Sequence, residues 1–113
     1  LHEYAVTESI LKIVHEEAGK AGGERVESVT IVIGELSTFV DQSIEFYFQA
    51  LSQGTVAEGA RLIFEKVKAR AVCGDCGKEF EPSRVCLTCP RCHSPLFEVK
   101  QGRELYIDNL EIH

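Results

Sequence analysis

Residues 73 to 92 read CGDCGKEFEPSRVCLTCPRC, and the organisation of the whole chain turns on this stretch. Two C-x-x-C pairs, Cys73/Cys76 and Cys89/Cys92, can each curl into a short knuckle whose two thiolates point the same way. Facing knuckles then offer a soft tetrahedral cage of four sulfurs, the donor set that suits zinc. The twelve residues between the pairs are fewer than the roughly 15–20 of the commonest two-knuckle spacing. They suffice for a short hairpin around Phe80 and Pro82. Gly77 follows the first knuckle, where a left-handed turn is often needed, and Pro90 stiffens the second. The competing reading is of cysteines that are simply buried or paired as disulfides, and two C-x-x-C pairs this close speak against it.

Cys86-Leu87-Thr88-Cys89 is also a C-x-x-C, so the second knuckle has an alternative in Cys86 and Cys89. The C-P-x-C form and the longer hairpin favour Cys89/Cys92, which leaves Cys86 as a fifth, unassigned thiol. His93, directly after Cys92, can replace a thiolate, hydrogen-bond to one, or serve only as a solvated turn residue.

The chain has 113 residues, room for one small core that a metal staple would support. Eighteen acidic against twelve basic side chains give a formal charge of −6, which opposes the phosphate neutralisation that drives nucleic-acid affinity. A nucleic-acid-binding ribbon is therefore disfavoured. Five cysteines at thiolate-ligand spacing belong in a reducing compartment, and no apolar run suits a signal peptide or membrane span. The expected location is the cytoplasm, with no membrane partner.

Outward from the knuckles, the pattern predicts an α+β fold: a small mixed three-stranded sheet covered by two helices, with an inserted four-cysteine zinc ribbon. From Tyr4 to Ala21, Val6, Ile10, Ile13, Val14, Ala18 and Ala21 recur at helical spacing, and Gly22-Gly23 stops the helix. His15 falls towards the polar side and reads as solvated. Val26 to Ile33 alternates Val29, Ile31 and Ile33 with Ser28, Thr30 and Val32, a strand packed on one face. Asp41 can cap a second helix with Ile44, Phe48 and Leu51 on one face and Tyr47 beside it, ended by Gly54. Arg61 to Ala71 reads as one strand, parallel to the first across the helical crossover. Phe97-Glu98-Val99 closes the ribbon, Gly102 turns the chain, and Leu105 to Ile112 returns to the first sheet. The expected domains are 1–70 plus 103–113 and, inserted between them, the ribbon at 71–102.

A closed four-sulfur site leaves zinc no open position, so the ribbon is not a catalytic centre. The chain also lacks a nucleophile elbow, a phosphate-cradling glycine loop and a metalloprotease His/Glu pair. What stands out is the start, Leu1-His2-Glu3. A free α-amine, the His2 amide nitrogen and the His2 imidazole can form adjacent chelate rings round one metal. The Glu3 amide or an outside ligand would complete a plane, and planar nitrogen coordination favours Ni(II) or Cu(II) over Zn(II).

These residues carry a resemblance. His2-Glu3, Ile33-Gly34-Glu35-Leu36-Ser37, Gly54-Thr55-Val56-Ala57-Glu58-Gly59-Ala60, the two knuckles and Gly102-Arg103-Glu104-Leu105 are similar to HypA, the nickel metallochaperone family of NiFe-hydrogenase maturation, over nearly the full chain. The resemblance implies a non-enzymatic carrier. His2 would be the nickel side-chain ligand, with Leu1 and Glu3 contributing backbone nitrogen or outer contacts, and Cys73, Cys76, Cys89 and Cys92 would hold structural zinc. His93 and Cys86 are possible auxiliaries. It further implies docking to the GTPase HypB and to the hydrogenase large-subunit precursor, by a monomer or weak dimer. The departure is Leu1, where the family has Met; coordination through the amine and amides tolerates the change. The rival reading is a zinc-ribbon interaction module with no transported metal.

Overall fold

The structure, a computed structural model, describes residues 2–83 and 87–113, with His2 described in its backbone alone. Among the described residues eight elements follow one another: α1 (His2–Ala21), β1 (Val26–Gly34), α2 (Asp41–Leu51), β2 (Arg61–Val67), β3 (Arg70–Cys73), β4 (Glu79–Phe80), β5 (Phe97–Gln101) and β6 (Leu105–Ile112). The strands form two three-stranded sheets, of order β2-β1-β6 and β4-β3-β5. The chain divides into two compact units: residues 1–31, 38–65 and 107–113, and residues 32–37 and 66–106.

Helix α1 begins two residues earlier than the apolar spacing alone predicts, so His2 and Glu3 belong to its first turn. Glu3 suits that place because a carboxylate favours the positive end of the helix dipole, and its carbonyl accepts the hydroxyl of the fully buried Thr7 one turn on. The buried face is Thr7, Ile10, Leu11, Val14 and Ala18. Thr7, Ile10, Leu11 and Ala18 all lie within about 60° of Val14 round the helix, whereas Ile13 stands about 100° away. Ile13 is accordingly 45% exposed and Ala21 is exposed too, contrary to their expected place in the core. His15 is half-buried rather than solvated, and its Nε2 is enclosed without a hydrogen-bond partner among the described residues. The helix stops as expected. Gly22 takes φ 67°, its N–H bonds Gly19 O at 3.2 Å and the Gly23 N–H bonds Ala18 O at 3.0 Å, a Schellman closure.

Strand β1 is buried on both faces, Ser28, Thr30 and Val32 as well as Val29, Ile31 and Ile33. The one-sided packing expected from its alternation is not found: β1, the central strand of its sheet, is enclosed on both faces. The sheet is mixed. The Val26 N–H donates to Val56 O, ahead of β2, and the Glu35 N–H to Val67 O at its end, so β2 and the segment leading into it run parallel to β1. Against β6 the pairing is antiparallel: His113 N–H meets Arg25 O at one end and Gly34 N–H meets Glu104 O at the other.

Helices α1 and α2 pack together. Asp41 is the first residue of α2 rather than its cap, a position taken by Val40; the Asp41 carboxylate accepts the Gln42 N–H. Ile44 and Phe48 are fully buried, and Gly54, at φ 78°, lies in the turn after the helix. That turn carries the Gly54–Ala60 motif as a scaffold. Thr55 Oγ1 donates to Ser52 O at 2.6 Å and accepts the Ala57 N–H at 3.2 Å, while the Glu58 carboxylate accepts the Gly54 N–H at 2.8 Å.

The expected single strand from Arg61 to Ala71 is two strands, broken at Lys68 and Ala69, and β3 belongs to the second sheet. Crowding accounts for the break. A Cβ on Gly102, which has φ 118°, would lie 2.7 Å from the Ala69 Cα, and one on Gly34 would lie 2.1 Å from Gly102 O. Three backbones approach there as only glycines permit. The Leu36 N–H donates to Gly102 O and the Glu104 carboxylate accepts the Gly102 N–H, so the 33–37 and 102–105 motifs interlock.

Candidate metal centre

The two knuckles are built alike. In the first, the Cys73 N–H donates to Lys78 O at 2.9 Å and the Gly77 N–H to Cys73 O at 3.0 Å; in the second, Cys89 N–H donates to Ser94 O at 2.9 Å and His93 N–H to Cys89 O at 2.8 Å. Each loop closes through a left-handed residue at the same step, Gly77 at φ 74° and His93 at φ 61°. The expected left-handed turn at Gly77 is therefore present. His93 occupies the equivalent turn, exposed, and lies outside the group of sulfurs described next.

Strand β3 delivers Cys73 and pairs antiparallel with β4 and β5, with Cys73 opposite Phe97. Phe80 and Phe97 close edge to face at 5.5 Å between centroids. Cys73, Cys76, Cys89 and Cys92 come together with all four Sγ atoms within 4.8 Å of one another. Cys73 and Cys92 sulfurs are 3.5 Å apart, and those of Cys76 and Cys89 are 3.6 Å apart. A tetrahedral zinc with bonds of about 2.3 Å sets its sulfurs roughly 3.8 Å apart, so the cluster fits that ion. Cys86, the alternative ligand, lies outside the described residues.

The first thiol of each pair is buried and the second exposed. Backbone donors converge on the buried ones: Asp75 and Cys76 N–H on Cys73, each at 3.4 Å, and Arg91 N–H on Cys89 at 3.4 Å. The Cys76 N–H, foremost, holds the Cys73 thiol below its ordinary value, with burial acting the other way. Burial raises Cys89, but the N–H groups of Cys92 and Arg91 and the neighbouring thiols outweigh it and bring Cys89 down to about 6. At Cys92 the Ser94 N–H favours the thiolate, yet the Cys73 thiol, burial and the other two thiols push it up to about 12. Four thiolates this close repel one another, and a divalent cation among them reverses that balance.

Two supporting residues escaped the sequence reading. Ser94 Oγ donates to Asp75 Oδ2 at 2.5 Å and accepts the Leu96 N–H at 3.1 Å, tying the second knuckle to the first. The available signal was a small hydroxyl residue just after the second knuckle and a carboxylate inside the first. Both types commonly orient metal ligands from the outer shell.

At the other end of the chain, the Glu3 carboxylate accepts the Val40 N–H at 3.1 Å. Glu3's own N–H and that of Val40 hold this carboxyl below its usual value. The backbone of His2 lies in the first turn of α1, where N–H groups have no acceptor within the helix. Leu1 lies outside the described residues. No helix among them is long and apolar enough to cross a membrane.

Residues 1–112 match the family described as "Hydrogenase/urease nickel incorporation, metallochaperone, hypA". The hydrogenase maturation factor HypA of Caldanaerobacter subterraneus subsp. tengcongensis is 41% identical over 113 residues, covering 99% of each chain. That of Pyrococcus horikoshii is 35% identical, covering 99% of this chain and 96% of the relative. The solution structure of the Ni metallochaperone HypA from Helicobacter pylori superposes with a TM-score of 0.67 at 28% identity, covering 97% of this chain and 96% of that one. With its two helices, its mixed sheets and a four-cysteine cluster suited to a zinc ribbon, the chain belongs to the HypA family of nickel-incorporation metallochaperones of hydrogenase maturation.

Proposed function

We propose that this protein carries Ni(II) at its N-terminus and delivers it during NiFe-hydrogenase maturation. The cargo is held by the His2 imidazole, the α-amine of the first residue and the backbone nitrogens of His2 and Glu3. Cys73, Cys76, Cys89 and Cys92 hold Zn(II), which supplies cross-linking and charge balance rather than chemistry, since four thiolates fill its coordination sphere. The observation that carries this reading is the joint occurrence of the His2-Glu3 start and the four-thiol cluster on a chain matched to the family over residues 1–112.

In this reading residues 1–70 with 103–113 act as the nickel domain and 71–102 as the zinc ribbon, working in the cytoplasm. The partners are the GTPase HypB and the large-subunit precursor. Nickel must be held yet surrendered, and a site built partly from backbone at a chain end can be dismantled by a competing ligand set. His93 and Cys86 are kept as auxiliary donors of the ribbon.

Nickel titration of His2→Ala tests the proposal. Tight nickel binding is lost while zinc content and melting temperature stay unchanged. Affinity in the parent protein falls as pH drops below about 7, because the imidazole and α-amine, with reference values of about 6.5 and about 7.7–8.0, must both be deprotonated to ligate. Unchanged nickel affinity in His2→Ala would exclude the proposed site, and a parent protein that takes up no nickel would leave the zinc-ribbon interaction module as the better description.

A further inference from the structure

An exposed row of aromatic rings lies next to the start of α1. Tyr4 meets Tyr47 edge to face at 5.4 Å between centroids, and Tyr47 meets Phe46 in the same way at 5.5 Å. Phe46 is 69% exposed and Tyr4 43%. Val40, 50% exposed, is joined to the same place by the hydrogen bond from its N–H to Glu3. Single exposed apolar side chains are ordinary, but rings in mutual contact form a stiff surface that loses little freedom when covered.

The charges nearest these rings along the two helices are acidic: Glu3 and Glu8 on α1, where the first basic residue is Lys12, two turns beyond Tyr4, and Asp41 and Glu45 on α2, which carries no lysine or arginine. Glu8 lies one helical turn from Tyr4, and Glu45 one turn from Asp41 and directly before Phe46. A second copy of this chain would set carboxylates against carboxylates across such a contact, which is unfavourable. A protein surface that offers arginine or lysine round an apolar side chain answers both features. Guanidinium groups also stack on aromatic faces.

We infer that the Tyr4–Tyr47–Phe46 row, with its acidic rim, is the docking surface for a basic partner protein that exchanges nickel with the neighbouring N-terminus. The identity of the traffic rests on the nickel reading above; the docking surface itself rests on the rings and the charges. Contact there would bring the partner's own ligands beside His2 and Glu3, where transfer has to occur. Aromatic residues at the centre of an interface carry a large share of affinity, and rim charges govern the rate of encounter.

The test uses the full-length protein with purified HypB and purified large-subunit precursor as probes, by calorimetry and by stopped-flow association at low and high salt. Phe46→Ser weakens binding to at least one probe about tenfold or more, and Glu45→Lys slows association and flattens its salt dependence. Leu96→Ser, which alters a side chain of similar exposure (63%) on the ribbon, changes neither. All three variants keep the parent's melting temperature and nickel affinity. Parent-like binding of Phe46→Ser to both probes overturns the inference, as does the absence of binding by the parent. A parent dimer that Phe46→Ser converts to monomer overturns it as well, by assigning the rings to a second copy. Failure of the nickel reading would show separately, as nickel uptake surviving in His2→Ala, and a loss of docking in Phe46→Ser would still support the surface.

Discussion

In the unit of residues 1–31, 38–65 and 107–113, the large side chains Val14, Ile31, Ile44 and Phe48 are wholly enclosed. Among the described residues of the unit of 32–37 and 66–106, apart from Val32 and Ile33 on β1, the buried apolar residues are Ala69, Ala71, Cys73, Pro82 and Cys89, none of them large. Burying a Phe or Ile contributes about 1.5–3 kcal/mol, and burying an alanine far less. The first unit has an apolar core to hold it; the ribbon has sulfurs, N–H donors aimed at them, and the Ser94–Asp75 bond. A metal among those sulfurs is therefore folding energy for the ribbon and of little consequence to the helices.

The strongest way to break that contrast is Cys76→Ser. Structural zinc contributes on the order of 10 kcal/mol to modules of this kind, so the variant should lose zinc and the amide-exchange protection of β3 and β5. Protection in α1 and α2 should persist. Simultaneous loss in both units would show that the helical unit depends on the metal after all. The mirror experiment is Phe48→Ala, which leaves a cavity in the first unit. The expected cost is about 3–5 kcal/mol, read as lower protection in α1 and α2 with zinc content unchanged; loss of zinc would contradict the separation. The smallest effect is in the knuckles. Gly77→Ala places a Cβ on a left-handed residue and should destabilise by about 1 kcal/mol, while His93→Gly should stabilise slightly and keep all its zinc. Zinc loss in His93→Gly would make that histidine a ligand.

The contrast also explains what could be read from the sequence. A metal cluster is written in a few residues at fixed spacing, so Cys73, Cys76, Cys89 and Cys92 were identifiable before any coordinates, and their sulfurs do converge. Both helices, the parallel pairing of β1 with β2 and the return of β6 were likewise legible, because periodicity and Gly22 mark their limits. An apolar core is written diffusely. The burial of Ser28 and Thr30 requires cover on the second face of β1, which the strand's own alternation does not reveal. The division of β2 from β3 depends on Gly34 and Gly102 meeting from distant parts of the chain. His15 lies beside the buried face of α1, and its environment is set by neighbours that a single-helix pattern cannot count. Ser94 and Asp75 meet only once the knuckles have folded, so their residue types were legible beside the cysteines but their pairing was not.

In the proposed reading nickel is held by residues 1 to 3 and not by the four sulfurs. The most direct test is nickel titration, at one pH, of protein with a verified free N-terminus against the same protein acetylated there. Acetylation turns the α-amine into an amide that must shed a proton to bind, so it competes poorly near neutral pH. The account predicts that the acetylated protein keeps its zinc and its fold, binds nickel weakly and loses the yellow, diamagnetic signature of planar Ni(II). Equal affinities and equal spectra for the two forms would contradict it and move the site away from the N-terminus.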